Sequence, residues 1–405
     1  MSLAANTRYQ SFMAEEAALT LSALLTDPAG FDAHLQRYAY GVLTRSVLGF
    51  RVSGTSGDDH DPFIRDTENF IDQSMKCFRP DEYPSNVFPF LRWLPKWLVP
   101  SVGRLDVLRR WADEDAAALR RRIERQMQDE KTKSMIAGDD GQKKKKKKDS
   151  IYRHFLENRN AYEASDKEAG YAFQAMVGAG TRSPHNALLT FLYLMMEHPE
   201  WQTRLREEVD AVVGDARLPC FDDIPQLPTV RAVVKEGIRY RSIVAELGLP
   251  HRLERDDTYE GYFFPRGTVF FANAGAILMD ETLYPDQRPF DPSRWLDPSF
   301  PTYRAPLSEF PNLKGFAAFG YGRRACPGAD FTERTLVIMV AHLVWGLAAR
   351  KPVDPATGRE VVLDVRYEPV PNPKPLAFPC LLESRGEARR ALVEREVRRM
   401  REEEE

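Results

Sequence analysis

Apolar residues recur at helical spacing along most of this chain. Tyr9, Phe12, Met13, Ala17, Leu21, Leu24 and Leu25 mark one helix over 7–28, which Asp27-Pro28 ends. A second runs over 31–50 and closes at Gly49; a third covers 63–78, and a polar loop at 54–62 precedes it. Residues 102–130 predict a long, charged, solvated helix. Residues 166–197 predict the longest one, with small residues at 178–181 that let it lie against something flat and Pro184 inside to kink it. Further helices are predicted from Pro199 to Gly214, over 227–240 and over 331–347. Alternation appears only near 251–273, where Pro265-Arg266-Gly267 predicts a hairpin turn, and in a proline-interrupted stretch at 363–382. The pattern is that of a mainly α fold with small β-sheets (α+β), one domain over 1–384, and a charged tail at 385–405 that forms a frayed helix.

One segment breaks the pattern. Residues 88–100 are dense in aromatics and prolines, with only Arg92 and Lys96 charged. Proline rules out a spanning helix there. The segment is a buried connection, a roof over an apolar pocket, or a surface that dips into a membrane interface.

Composition narrows the class. Among 405 residues, 57 are basic and 60 acidic, a net charge of −3 that gives no reason to expect a nucleic-acid partner. The six lysines 143–148 read as a low-complexity insertion, 138–150. The four cysteines, at 77, 220, 326 and 380, form no CxxC or Cys/His pattern, so neither a disulfide framework nor a zinc site is expected. The chain shows no signal peptide and no 18-residue apolar run, and by itself reads as soluble.

Chemistry concentrates at Phe319-Gly-Tyr-Gly-Arg-Arg-Ala-Cys-Pro-Gly328. Cys326 follows a glycine-rich bend and precedes a helix. Freed backbone N–H groups and the positive helix end both favour a thiolate at that place. Gly320, Gly322 and Gly328 permit close approach, Phe319 covers one side, and Arg324 supplies a cation. A flat, anionic, iron-bearing ligand suits this set. A buried structural cysteine beside a turn is the plainer reading of Cys326 alone. Upstream, Glu236 and Arg239 meet on one helix face at i,i+3, by themselves an ordinary salt bridge.

Together these motifs resemble the cytochrome P-450 family of haem-thiolate monooxygenases, in its fungal, microsomal form. The cysteine stretch matches the family's Phe-x-x-Gly-x-Arg-x-Cys-x-Gly loop. Glu236-x-x-Arg239 matches Glu-x-x-Arg, and Arg294 after Phe290-Asp-Pro is similar to the arginine that completes that buried network. The resemblance implies the P-450 fold and haem b (iron) held by the Cys326 thiolate. It implies Phe319, Gly322, Arg324, Gly328 and His251 around the haem, Arg324 and His251 on its propionates. It also implies an NADPH-dependent flavoprotein reductase as electron donor, O2 and a lipophilic substrate of secondary metabolism or xenobiotic oxidation, and a monomer on the cytosolic face of the endoplasmic reticulum.

Aligned back from His198-Pro199, Ala179 and Gly180 match the family's Ala-Gly on the distal oxygen side and Ser183 stands at its alcohol. Arg182 stands where the family has an acid, and Pro184 where it has a second Thr. This substitution motivates an alternative, an atypical haem-thiolate isomerase, dehydratase or peroxygenase. The first helices resemble those after the family's early Trp-x-x-x-Arg helix, so the resemblance implies a chain lacking the N-terminal anchor and first helices. A truncated, inactive remnant is the third expectation.

Overall fold

The computed structural model describes residues 9–52, 61–77, 79, 81–136, 150–242, 250–368 and 372–403. The polar loop expected at 54–62, apart from its last two residues, and the lysine run at 143–148 lie outside them. In chain order the helices are α1 (Gln10–Thr26), α2 (Phe31–Leu43), α3 (Pro62–Lys76), α4 (Pro100–Ile136), α5 (Ile151–Glu157), α6 (Asp166–Glu197), α7 (Pro199–Val213), α8 (Pro228–Tyr240), α9 (Ala274–Leu278), α10 (Ala329–Gly346) and α11 (Glu387–Glu402). The strands are β1 (His251–Arg252), β2 (Asp257–Tyr259), β3 (Tyr262–Phe264), β4 (Val269–Phe270), β5 (Leu347–Arg350) and β6 (Leu381–Ser384). They pair as three two-stranded antiparallel sheets, β1-β4, β2-β3 and β5-β6. The predicted class, mainly α with small sheets, is the observed one.

The chain divides into two compact units, Gln36–Arg182 and Met1–Leu35 with Ser183–Glu405. In the second, α10 is the core. Its residues from Thr335 to Gly346 are all buried, as an apolar run without a polar face must be. Gly346 lets α1 come close, since a Cβ there would sit 2.7 Å from a methyl of Leu21. Gln202 of α7 replaces a strand neighbour: its side chain exchanges two 3.0 Å hydrogen bonds with the backbone of Ala349. The helix expected in the tail is present and is not frayed over Glu387–Glu402. Helix α11 buries Leu392, Val393 and Val397, and the Arg389 guanidinium donates to the carbonyl of Trp345 at 2.6 Å.

In the Gln36–Arg182 unit, α2 continues into a five-residue π-helical turn, Thr44–Leu48. Gly49, at φ 82°, stops it. Asp61 caps α3 by accepting the N–H of Phe63 at 2.9 Å, with Pro62 at the first helical position. Helix α4 holds the first part of α6 by a hydrogen bond from Gln174 to Asp115 at 2.7 Å, and Gly170 admits Ala116. The longest helix is α4, with 37 residues against 32 for α6. Helix α6 runs on without a break through Pro184.

Three local expectations are corrected. The tight hairpin is not at Pro265–Gly267 but at Glu260-Gly261, where positive φ at both positions (48° and 81°) matches the twist of β2 and β3. Much of 363–382 is irregular, with one isolated bridge, Tyr367 to Pro375, before β6. The 88–100 segment is not a buried connection: Trp93 is 86% and Trp97 78% exposed, and Phe88, Phe90 and Leu98 are exposed as well.

Candidate active site

The cysteine loop is built by two short 3₁₀ turns, Ala317–Phe319 and Gly322–Arg324, joined through Gly320. Gly320 and Gly322 have φ of 75° and 62°, where only glycine is unstrained. The N–H of Cys326 donates to the carbonyl of Phe319 at 2.7 Å and closes the loop. Three residues later α10 starts, with Gly328 as its N-cap. Cys326 is exposed and lines an open cavity of about 210 Å³ together with Phe316, Phe319, Gly320, Ala325 and Pro327. The plainer reading of a buried cysteine does not hold. Arg324 is exposed and forms no ion pair among the described residues.

Beneath the loop, Glu236, Arg239 and Arg294 share one fully buried site. The Glu236 carboxylate accepts from Arg239 at 2.7 and 2.9 Å and from the N–H of Asp291 at 3.1 Å, and lies 3.4 Å from the Arg294 guanidinium. Arg239 also donates to the carbonyls of Leu278 and Pro289, and Arg294 to those of Pro285 and Asp286. Charges buried this way persist only when paired; Arg294 Nε lies within ion-pair distance of Glu236 but makes no hydrogen bond among the described residues.

Sequence reasoning missed the residues that join this network to the loop. The indole N–H of Trp295 donates to Glu236 at 3.0 Å, its ring meets Phe316 edge-on at 5.7 Å, and Phe316 touches Phe319 at 6.4 Å between centroids. Lys235 lies 4.3 Å over the Trp295 ring and donates to the carbonyl of Asn312 at 2.7 Å. Burial pushes its pKa down to about 8. The Glu333 carboxylate on α10 accepts the N–H of Leu313 at 2.8 Å, and burial pushes its pKa up. The only signal was adjacency: Lys235 precedes Glu236 and Trp295 follows Arg294. His251, on β1, is exposed and pairs through its backbone with Phe270.

Helix α6 carries the other predicted residues. Ala179 is exposed, as are Ala175 and Ala172 one and two turns before it, so this face of α6 presents small side chains. Gly180 does not share that face. A Cβ there would lie 2.8 Å from a methyl of Leu43, so its smallness serves α2 rather than a ligand. Arg182 is buried and turned to α3, 2.5 Å from Asp72 and 3.8 Å from Glu68. Glu68 accepts the hydroxyl of Tyr40 at 2.8 Å, and Tyr40, enclosed and beside that carboxylate, has its pKa pushed well up. Arg182 therefore has its own counter-charges and is no cation aimed at bare space. Ser183 is half-buried and accepts a 3.1 Å hydrogen bond from the amide of Asn372.

An exposed thiol on the lip of a cavity, glycines that keep the approach clear, an exposed arginine with no ion pair among the described residues and a helix N-terminus fit a flat anionic macrocycle with sulfur as its axial ligand. The fold and this donor set define a haem-thiolate protein. Comparison with known proteins gives the family. The family model Cytochrome P-450 matches residues 5–346. A cytochrome P-450 monooxygenase, psoD, of Aspergillus fumigatus is 52% identical over 387 residues, 96% of this chain and 71% of that protein. Cytochrome P-450 monooxygenase 98 of Postia placenta is 33% identical over 372 residues, 90% of this chain and 66% of that protein. The chain belongs to the cytochrome P-450 family. Its class of activity is that of a haem-thiolate monooxygenase, an oxidoreductase that incorporates oxygen from O2 into its substrate, and its cofactor is haem b with a cysteine thiolate as axial ligand.

Proposed function

We propose that Cys326 is the axial ligand and that the chain oxygenates a lipophilic substrate of fungal secondary metabolism or xenobiotic oxidation. The observation that carries this reading is the exposed Cys326 thiol on a cavity, at the head of α10 and above the Glu236 network. When bound, the haem supplies oxygen activation, with the thiolate donating electron density to the iron. The chain supplies position. Phe319 shields the sulfur, Gly322 and Gly328 leave room, Arg324 and His251 take propionates, and Ala179 and Ser183 border the oxygen side. The Glu236–Arg239–Arg294 network holds the scaffold, and 1–384 acts as one catalytic domain. The test is the reduced carbon-monoxide spectrum of haem-loaded protein. A red-shifted thiolate band that Cys326→Ala abolishes is expected, and its absence from wild type overturns the reading.

Electrons come from an NADPH-dependent flavoprotein reductase docking on the cysteine side, where Lys314 and Arg323 are exposed. The protein works as a monomer at the endoplasmic-reticulum surface. No described helix is long and apolar enough to cross a membrane. The exposed aromatics of 88–98 suit a surface that dips into the interface. The isomerase, dehydratase or peroxygenase alternative rested on Arg182, and the pairing of Arg182 with Asp72 and Glu68 removes that motive.

A further inference from the structure

The side-chain amide of Asn372 is held in one orientation by a neighbour that can only accept. Asn186, buried on α6, donates from Nδ2 to the carbonyl of Pro373 at 3.1 Å and to Oδ1 of Asn372 at 2.9 Å. A proline carbonyl has no proton to give, so the nitrogen of Asn186 must face it. That places Oδ1 of Asn372 toward Asn186 and leaves its Nδ2 to donate to Oγ of Ser183 at 3.1 Å.

The consequence falls on the serine proton. Thr20, Thr181 and Thr335 each donate to the carbonyl four residues back at 2.8 Å, the usual fate of a hydroxyl within a helix. Ser183 donates to no acceptor among the described residues, and one of its lone pairs is taken by Asn372. Next to it, Pro184 has no N–H for the carbonyl of Gly180, four residues earlier. One turn of α6 thus holds an uncommitted O–H donor and a carbonyl deprived of its helical donor.

The arrangement carries a cost. Oδ1 of Asn186 is buried and accepts no hydrogen bond among the described residues. The same amide donates to the carbonyl of Pro373 and to Oδ1 of Asn372, which offsets that cost.

We propose that Asn372, fixed by Asn186, is a positioning residue that commits the Ser183 hydroxyl to act as a hydrogen-bond donor toward the reaction site. This rests on the reading of Ser183 as the alcohol of the oxygen side. It names two residues that carry the positioning done by a neighbouring acid elsewhere in the family, at a place where this chain has Arg182.

Two readouts test it on the haem-loaded full chain. With ¹⁵N-labelled asparagine, the Asn372 side-chain amide signal, identified by its loss in Asn372→Asp, is expected to move in Ser183→Ala; an unmoved signal overturns the hydrogen bond. With NADPH and a flavoprotein reductase, peroxide released per NADPH is expected to rise about two- to tenfold in Asn372→Asp, the range for one misdirected hydrogen bond. It is expected to rise no further in the double variant with Ser183→Ala. An equal rise from Asn372→Asp in the Ser183→Ala background overturns the positioning role. If Ser183→Ala moves the amide signal but leaves the peroxide ratio at wild type, the reading of Ser183 fails and the role falls with it. Asn186→Leu leaves Ser183 and Asn372 intact, and is expected to raise the ratio, with thermal unfolding confirming that the chain still folds. A wild-type ratio in that variant also overturns the proposal.

Discussion

Trp295 donates its indole N–H to Glu236 at 3.0 Å while its ring packs in a T-shaped contact with Phe316, the residue that leads into the cysteine loop. The buried charge network is thereby coupled to the loop through one rigid aromatic. Trp295→Phe keeps the ring contact but leaves a Glu236 oxygen without that donor. It is expected to cost about 1–3 kcal/mol and to hasten loss of the thiolate-type carbon-monoxide band on warming. Glu236→Gln, which leaves two buried guanidiniums short of charge, is expected to cost more, about 3–5 kcal/mol, read by thermal or urea unfolding.

Lys235 gives the fold a pH signature. Its pKa is about 8 in the folded chain, against an ordinary 10.5, because burial disfavours the charged amine. Between those values the unfolded chain binds more protons than the folded one. Stability from this group therefore rises with pH from about 8 toward 10.5, by at most about 3 kcal/mol. Lys235→Met is expected to flatten that slope in urea titrations at pH 8, 9 and 10. The difference between variant and wild type isolates Lys235 from other groups that titrate there.

Arg182 is expected to resist restoration of the family acid. Arg182→Asp sets a third carboxylate beside Asp72 and Glu68, only one of which is well exposed. The expected loss is about 2–4 kcal/mol, reduced from the fully buried case because Asp72 is half in solvent. The charge swap Arg182→Asp with Asp72→Arg is expected to recover a good part of it, as measured by urea unfolding.

The aromatic surface at 88–98 has a direct test. Trp93→Ser with Trp97→Ser is expected to weaken binding to phospholipid vesicles on the order of tenfold or more, with the melting temperature unchanged. Two side chains so exposed contribute little packing to lose.

Much of the fold was legible because it is local. Helical spacing of apolar residues located the helices, and the Gly-x-Arg-x-Cys-x-Gly loop with Glu236-x-x-Arg239 announced the haem-thiolate chemistry. Those signals depend on residues a few positions apart, where backbone geometry fixes who is a neighbour. The 16-residue α11 was misjudged as frayed, because a charge-rich sequence does not reveal that Leu392, Val393 and Val397 have a surface to cover.

The sequence by itself determined which chemistry this chain can host: a thiol at a helix head, glycines that clear a flat approach, and a charge triad beneath. Only the tertiary structure decided what the distal residues face. Arg182 looked like a misplaced cation until it met Asp72, 110 positions away, and Ser183 looked like a lone alcohol until it met Asn372, 189 positions away. Gly180 looked like room for a ligand and proved to be room for Leu43. Charge satisfaction and close packing are settled by whatever the fold brings within a few ångströms, and no spacing along the chain encodes that directly.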